Sequence, residues 1–152
     1  MGPVHTSSSL TARFARQHLE LGRLAKLLLA ELDTRTLAVD ASHARRSLAT
    51  FSGQLRVHAA MEQEALYPRL LASSEASVVA KAQSLLADVG TVYEAFFDYL
   101  KAYPDAASIE ADPAEFSRRT MQTLYRLRVR MKREDDELYP LVEQVSSAGG
   151  GL

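Results

Sequence analysis

The segment LRVHAAMEQEALYP, residues 55–68, is repeated 72 residues later as LRVRMKREDDELYP, residues 127–140. Half of the fourteen positions are identical, including the closing Leu-Tyr-Pro. Each copy carries a polar residue four positions before a glutamate, and residues four apart lie on one face of an α-helix. These pairs are His58 and Glu62 in the first copy and Arg130 and Glu134 in the second. The repeat predicts two long helices that each present a polar pair, and it indicates an ancient duplication of a helical hairpin.

The composition indicates a single soluble domain of 152 residues. Hydrophobic residues make up 47% of the chain, which is enough to bury a full core. The net charge of −1 gives no reason to expect a nucleic acid or an anionic membrane as partner. The absence of cysteine excludes disulfides, thiolate metal sites and cysteine nucleophiles. The N-terminal MGPVHTSSS lacks the apolar core of a signal peptide, and no apolar run could span a bilayer, so we expect a cytoplasmic protein.

Apolar residues recur at helical spacing along most of the chain, and no segment alternates as a strand would. We predict an all-α fold, an up-down-up-down antiparallel four-helix bundle, because the connections between helices are short. The predicted helices are A from Ser9 to Leu32, B from Asp40 to Ala72, C from Ser73 or Ser74 to just before Pro104, and D from the cap Asp112 onward. The bundle is expected to occupy residues 9–146, between disordered tails at residues 1–8 and 147–152. Pro68 and Pro140 are expected to kink helices B and D.

Distances along the helices place several positions at one depth in the bundle. With a rise of about 1.5 Å per residue, positions from all four helices fall at levels that agree to within a turn or two. These positions are His18 on A, His58 and Glu62 on B, Gly90 and Glu94 on C, and Arg130 and Glu134 on D. We therefore expect them to converge on one internal site.

This pattern resembles the hemerythrin-like, or HHE cation-binding, family. The resemblance rests on a histidine in helix A, on His-x-x-x-Glu followed by Leu-Tyr-Pro in helix B, and on the second Glu and Leu-Tyr-Pro in helix D. It covers about residues 10–145. It implies an antiparallel four-helix bundle with a non-heme di-iron centre, a type of site used for oxygen binding, sensing or iron handling.

Carried over to this chain, the resemblance implies a half-complete site. The ligands that it assigns to one iron and to the two bridging carboxylates are present as His18, His58, Glu62 and Glu134. Gly90 and Arg130 stand at the positions of the second iron's histidines, and Glu94 follows Gly90 by one turn. The resemblance therefore implies a metal-binding or sensor domain that holds at most one metal ion. Mixed nitrogen and oxygen ligands suit iron or zinc.

Two buried glutamates need a cation beside them, because a low-dielectric interior disfavours unpaired charges. Arg130 lies on the same helix face as Glu134 and offers a permanent charge with a planar fork that can bind two carboxylates. Our hypothesis is that Arg130, with Glu94 and Gly90 beside it, forms a structural polar core in place of the second metal. In this hypothesis Gly90 leaves room for the guanidinium of Arg130, and the guanidinium neutralises both Glu62 and Glu134.

The sequence leaves a second interpretation open. His18 and His58 could be hydrogen-bonded core residues without a metal, in which case the bundle is a protein-interaction or regulatory module with a protein partner. A similar loss of iron ligands occurs in the bacterial regulator-of-sigma-D family, which is an analogy of fold. The arginines of helix D run directly into an acidic segment, which is typical of a solvated face and not of a nucleic-acid site. No Glu-x-x-His pair, Ser-His-Asp signature or phosphate loop is present, so we do not expect an enzyme.

Overall fold

A computed structural model describes residues 6–150 of the chain. These residues form eight α-helices and one π-helix, which together include 88% of them, and they contain no strand. The elements are α1 (Thr6–Leu29), α2 (Thr34–Val39), α3 (Ser42–Ala65), α4 (Tyr67–Leu71), α5 (Ala76–Lys101), α6 (Ala106–Glu110), α7 (Pro113–Arg133), the π-helix (Glu134–Leu138) and α8 (Tyr139–Gly150). The predicted all-α fold is confirmed. No helix in this part of the chain is long and apolar enough to cross a membrane, and the cytoplasmic location stays a prediction.

Side-chain contacts show how the long helices run beside one another. Near the end of α1, Glu31 contacts His43 and Ser47 at the start of α3. Toward the opposite end of this helix pair, Gln17 in the first half of α1 contacts His58 in the second half of α3. The two helices are therefore antiparallel. The full up-down-up-down order of the bundle stays a prediction.

Apolar stripes of the long helices form one continuous core. Phe14, Leu21 and Leu28 are fully or almost fully buried on α1, as the 3.6-residue period requires. The same is true of the inner residues of α3, α5 and α7, namely Leu48, Phe51, Leu55, Leu85, Phe96, Phe116 and Leu127. Each such side chain contributes about 1.5–3 kcal/mol of hydrophobic stabilisation. The polar site replaces this apolar packing at one level of the bundle.

Two short helices, α2 and α6, were not predicted. Asp33 caps α2 by accepting a hydrogen bond from the backbone N–H of Thr36, and Asp105 caps α6 in the same way through Ser108. Each helix places one apolar side chain in the core, Leu37 from α2 and Ile109 from α6. The connections that were predicted as loops therefore each contain one short helix, and these helices cover one end of the bundle.

Both copies of Leu-Tyr-Pro interrupt regular α-helix, as the two prolines led us to expect. In the first copy, helix α3 ends at Ala65 and α4 begins at Tyr67. In the second copy, the π-helix separates α7 from α8, and the backbone N–H of Tyr139 donates to the carbonyl of Glu134, five residues earlier. Predicted helix B is therefore two helices, and predicted helix D is three segments.

The predicted helix ends need correction at several places. The first helix ends at Leu29 and not at Leu32, and the predicted cap Asp112 is confirmed by its hydrogen bond from the backbone of Glu115. Residues 6–8 and 147–150, which the sequence assigned to the tails, belong to α1 and α8, and the domain bounds 9–146 stay a prediction. The remaining parts of the tails, residues 1–5 and 151–152, lie outside the described residues.

Candidate metal centre

Four side chains from three elements meet inside the bundle. They are His18 of α1, His58 and Glu62 of α3, and Glu134 of the π-helix. One ligand-type atom from each lies within 4.8 Å of all the others. The exposed fractions of the four residues are 8%, 1%, 1% and 0%, so the site is shielded from solvent. The structure brings together these four predicted metal ligands.

The ring nitrogens and carboxylate oxygens lie at hydrogen-bond distance from one another. His18 Nε2 is 3.0 Å from His58 Nε2 and 2.7 Å from Glu134 Oε1. His58 Nε2 is 3.2 Å from Glu62 Oε2 and 3.4 Å from Glu134 Oε1. Four donor atoms of this kind suit a cation bound at about 2.0–2.2 Å.

The outer nitrogen of each histidine is held by an acceptor. His58 Nδ1 donates to Gln17 Oε1 at 2.6 Å, and His18 Nδ1 donates to Asp135 Oδ1 at 2.9 Å. An amide oxygen and a carboxylate only accept, so Nδ1 carries the proton and Nε2 of a neutral ring has its lone pair toward the centre. Sequence reasoning missed Gln17 and Asp135. The available signal was that each is the chain neighbour of a predicted ligand.

The hydroxyl of Tyr139 also reaches the site. It donates to Glu62 Oε2 at 2.7 Å and lies 3.0 Å from His18 Nε2, and the residue is only 5% exposed. Burial, and then the charges of Glu62 and Glu134, raise the pKa of Tyr139. The phenol is therefore protonated at neutral pH without a metal. Sequence reasoning quoted this tyrosine within Leu-Tyr-Pro but did not place it in the site.

Arg130 is buried, 3% exposed, and contacts only one of the two glutamates. Its Nε lies 3.4 Å from Glu134 Oε2, and its Nη2 donates to Tyr67 Oη at 3.0 Å and to the Leu85 carbonyl at 2.9 Å. Among the described contacts, Arg130 has none with Glu62, which instead pairs with His58 and Tyr139. The hypothesis that the arginine binds both carboxylates is therefore wrong for Glu62.

The two positions expected from helix C lie outside the site. Gly90 and Glu94 are both exposed, because the inner face of α5 is formed by Leu85, Val89 and Tyr93. A residue next to an inner residue is rotated by about 100° around an α-helix. A Cβ atom added at Gly90 would meet nothing within 4 Å, so the glycine does not make room for Arg130. The predicted contribution of Gly90 and Glu94 to the polar core was wrong.

Burial and mutual charge set the protonation of the site. Burial disfavours a charge on His58, but hydrogen bonds and charges from Glu134 and Glu62 outweigh it and raise the pKa of His58 to about 9. Burial raises the pKa of Glu62 against the opposing hydrogen bond with His58. Burial also acts to raise the pKa of Glu134, but hydrogen bonds with His18 and His58 prevail and lower it to about 2.

Comparison with known proteins identifies the family. The family model for the hemerythrin HHE cation-binding domain matches residues 9–145, almost the whole chain. No curated protein and no solved structure gave a match. The matched region includes most of α1 and all of α3, α5, α7 and the π-helix, together with the four clustered side chains. The chain therefore belongs to the hemerythrin HHE cation-binding domain family.

Proposed function

We propose that this protein is a hemerythrin-like metal-binding domain that holds one metal ion, with His18, His58, Glu62 and Glu134 as ligands. The observation that carries this proposal is the approach of the two histidines. Their Nε2 atoms are 3.0 Å apart, while both Nδ1 atoms donate outward. Two neutral rings would direct lone pairs at each other, so a cation, either a proton or a metal ion, must lie between the rings.

The carboxylates fit the same interpretation. Glu62 Oε1 is buried without a hydrogen-bond partner, and a buried polar atom of this kind calls for a partner such as a water molecule or an ion. A bound ion would supply the positive charge that two buried carboxylates need. Two imidazoles and two carboxylates suit iron or zinc.

A second metal ion does not fit the side chains present. The guanidinium of Arg130 lies beside Glu134 on the side of α5, between Tyr67 and the Leu85 carbonyl. The inner face of α5 offers Leu85, Val89 and Tyr93 and no histidine or carboxylate. We propose that Arg130 replaces the second metal of the family's di-iron centre by neutralising Glu134, and that the domain has a binding or sensing role and is not an enzyme.

Metal analysis and titration test this proposal. Protein stripped with a chelator is titrated with zinc(II) and with iron(II) in the absence of air, and binding is followed by calorimetry. One ion per chain is expected, and His58→Ala should abolish tight binding. His43→Ala is the matched control, because that side chain is 78% exposed and lies outside the site. Two ions per chain would contradict the replacement by Arg130, and no binding would leave the metal-free interpretation.

A metal-free interaction module is the second candidate, and one surface feature favours it. Met121, Tyr125 and Val129 recur at four-residue intervals on α7 and are 53%, 67% and 52% exposed. Apolar residues at this spacing form a stripe that could contact a protein partner. If a protein partner binds this stripe, Tyr125→Glu should weaken partner binding without changing the metal content of the protein. A protein that binds no metal but loses its partner with this change would favour the second candidate.

A further inference from the structure

The hydroxyl of Tyr139 lies at the distance of a neighbouring ligand from two of the proposed ligands. Its Oη is 2.7 Å from Glu62 Oε2 and 3.0 Å from His18 Nε2. Adjacent donor atoms around an ion bound at about 2.0–2.1 Å are separated by about 2.9–3.4 Å. Four of the six separations among the proposed ligand atoms fall in a similar range, from 2.7 to 3.4 Å, and all six are within 4.8 Å. The Tyr139 oxygen is thus part of the same cluster of donor atoms.

The π-helix explains how Tyr139 comes to face the site. Residues five apart are rotated by about 140° in an α-helix, so Glu134 and Tyr139 would point in different directions. The hydrogen bond from the Tyr139 N–H to the Glu134 carbonyl widens this turn and brings both side chains to the interior. Single π-turns are frequent at functional sites, where they redirect a side chain.

We infer that Tyr139 is a fifth ligand, binding the metal ion through its phenolate oxygen; this inference rests on the proposed metal-binding function. Two carboxylates and one phenolate carry three negative charges, of which Arg130 offsets one beside Glu134, and the two imidazoles are neutral. A phenolate is a hard anionic oxygen ligand, so the ion chosen for the test is iron(III). The metal–Oη bond forms as the O–H bond of Tyr139 breaks, and no electron is transferred.

The structure provides an exit for the proton that Tyr139 loses. A groove of about 430 Å³ between α1 and α8 is lined by Thr11, Asp135, Tyr139 and Glu143. Asp135 and Glu143, on the walls of this groove, are exposed to solvent. We expect the proton to leave by this groove.

Visible absorption of the iron(III) form tests the inference. Chelator-treated protein is given one equivalent of iron(III) as its nitrilotriacetate complex, and excess complex is removed. We expect a phenolate-to-iron charge-transfer band with tyrosinate vibrations in the resonance Raman spectrum. Tyr139→Phe should lose both signals while still binding iron. Tyr67→Phe is the matched control, because Tyr67 stands at the position of Tyr139 in the first repeat and its hydroxyl accepts a hydrogen bond from Arg130. This variant should keep both signals.

Each outcome has a distinct meaning. Iron bound without the band, or a band that survives Tyr139→Phe, overturns the tyrosine ligand but leaves the proposed metal function standing. A wild-type protein that binds no metal overturns both. Circular dichroism checks folding of each variant. If Tyr139→Phe does not fold, Tyr67→Phe and Tyr93→Phe are measured in its place. Loss of the band in either variant would assign the band to that tyrosine and overturn the inference for Tyr139. A band that survives both changes supports Tyr139.

Discussion

Arg130 and His58, which occupy equivalent positions of the two repeats, contact the same carboxylate. His58 Nε2 lies 3.4 Å from Oε1 of Glu134, and Arg130 Nε lies 3.4 Å from Oε2. The histidine can exchange its proton for a metal ion, whereas the guanidinium keeps its charge at all pH values that a protein tolerates. One repeat therefore retains a group that can bind a metal, and the other supplies a permanent cation.

Replacing Arg130 by methionine should destabilise the fold. The change leaves Glu134, Tyr67 Oη and the Leu85 carbonyl without their shared buried partner. Removing one side of a buried ion pair costs on the order of 3–5 kcal/mol. Chemical denaturation at neutral pH measures the loss. Arg128→Met is the control, because Arg128 is exposed on the same helix and should change the free energy of unfolding by no more than ~0.5 kcal/mol. Equal effects of the two changes would show that Arg130 has no such role.

Metal affinity should rise with pH. The pKa of His58 is raised to about 9 in the metal-free protein, and this ring must lose a proton before its Nε2 can bind an ion. Below pH 9, each unit of increase should therefore strengthen zinc binding at least about tenfold, since one proton is displaced. Competition with a chelator of known affinity at pH 6.5, 7.5 and 8.5 measures the slope. A pH-independent affinity would mean that His58 is not a ligand.

Stability of the metal-free protein should depend on Glu134 in a defined pH window. Its pKa is about 2 in the folded protein against an ordinary value of 4.5. A carboxylate with a lowered pKa contributes stability above its unfolded value, and this contribution is lost as the pH falls toward the folded value. The difference in unfolding free energy between wild type and Glu134→Gln should therefore shrink between pH 4.5 and 2. A difference that stays constant over this window would contradict the assigned pKa.

Gly90→Ala should stabilise the protein slightly. The position is exposed within α5, and an added Cβ meets no atom within 4 Å. Replacing glycine by alanine inside a helix gains about 0.5–1 kcal/mol. Thermal unfolding measures the gain, and Gly53→Ala, an exposed helical glycine with equally open surroundings, should give a similar one. Loss of metal binding in Gly90→Ala would show that this position lies closer to the site than the structure places it.

The sequence was sufficient to predict the long helices from their periodicity and the meeting of four side chains from depth along the helices, while the metal-ligand roles of these side chains are what the family resemblance implies. His58 and Glu62 share a face through their four-residue spacing, and the repeat carries that reasoning to Glu134. Depth along a helix was estimated correctly, but depth does not fix rotation about the axis. For this reason Gly90 and Glu94 were assigned to the interior although they face solvent.

Other features depend on backbone irregularity or on tertiary contacts. Tyr139 lies five residues after Glu134, a spacing that regular α-helix places on another face. Only the π-helix brings Tyr139 to the site, and no residue pattern in the segment predicted a π-helix. Gln17 is the chain neighbour of His18 but contacts His58 across the helix interface, so its partner follows from packing.

The π-helix also limits how this chain can vary in length. Both repeats have the same five-residue interval from glutamate to tyrosine, but the first spans it with a break between α3 and α4 and the second with one wide turn. Deleting a single residue between Glu134 and Tyr139 would leave a four-residue interval, which a regular α-helix keeps on one face. Inserting a further residue there would instead rotate the whole of α8 by about 100°. After such an insertion Tyr139 would leave the site, and Glu143 would lose its contact with Thr11. Insertions should therefore be tolerated in the loops around α2 and α6 but not in this segment.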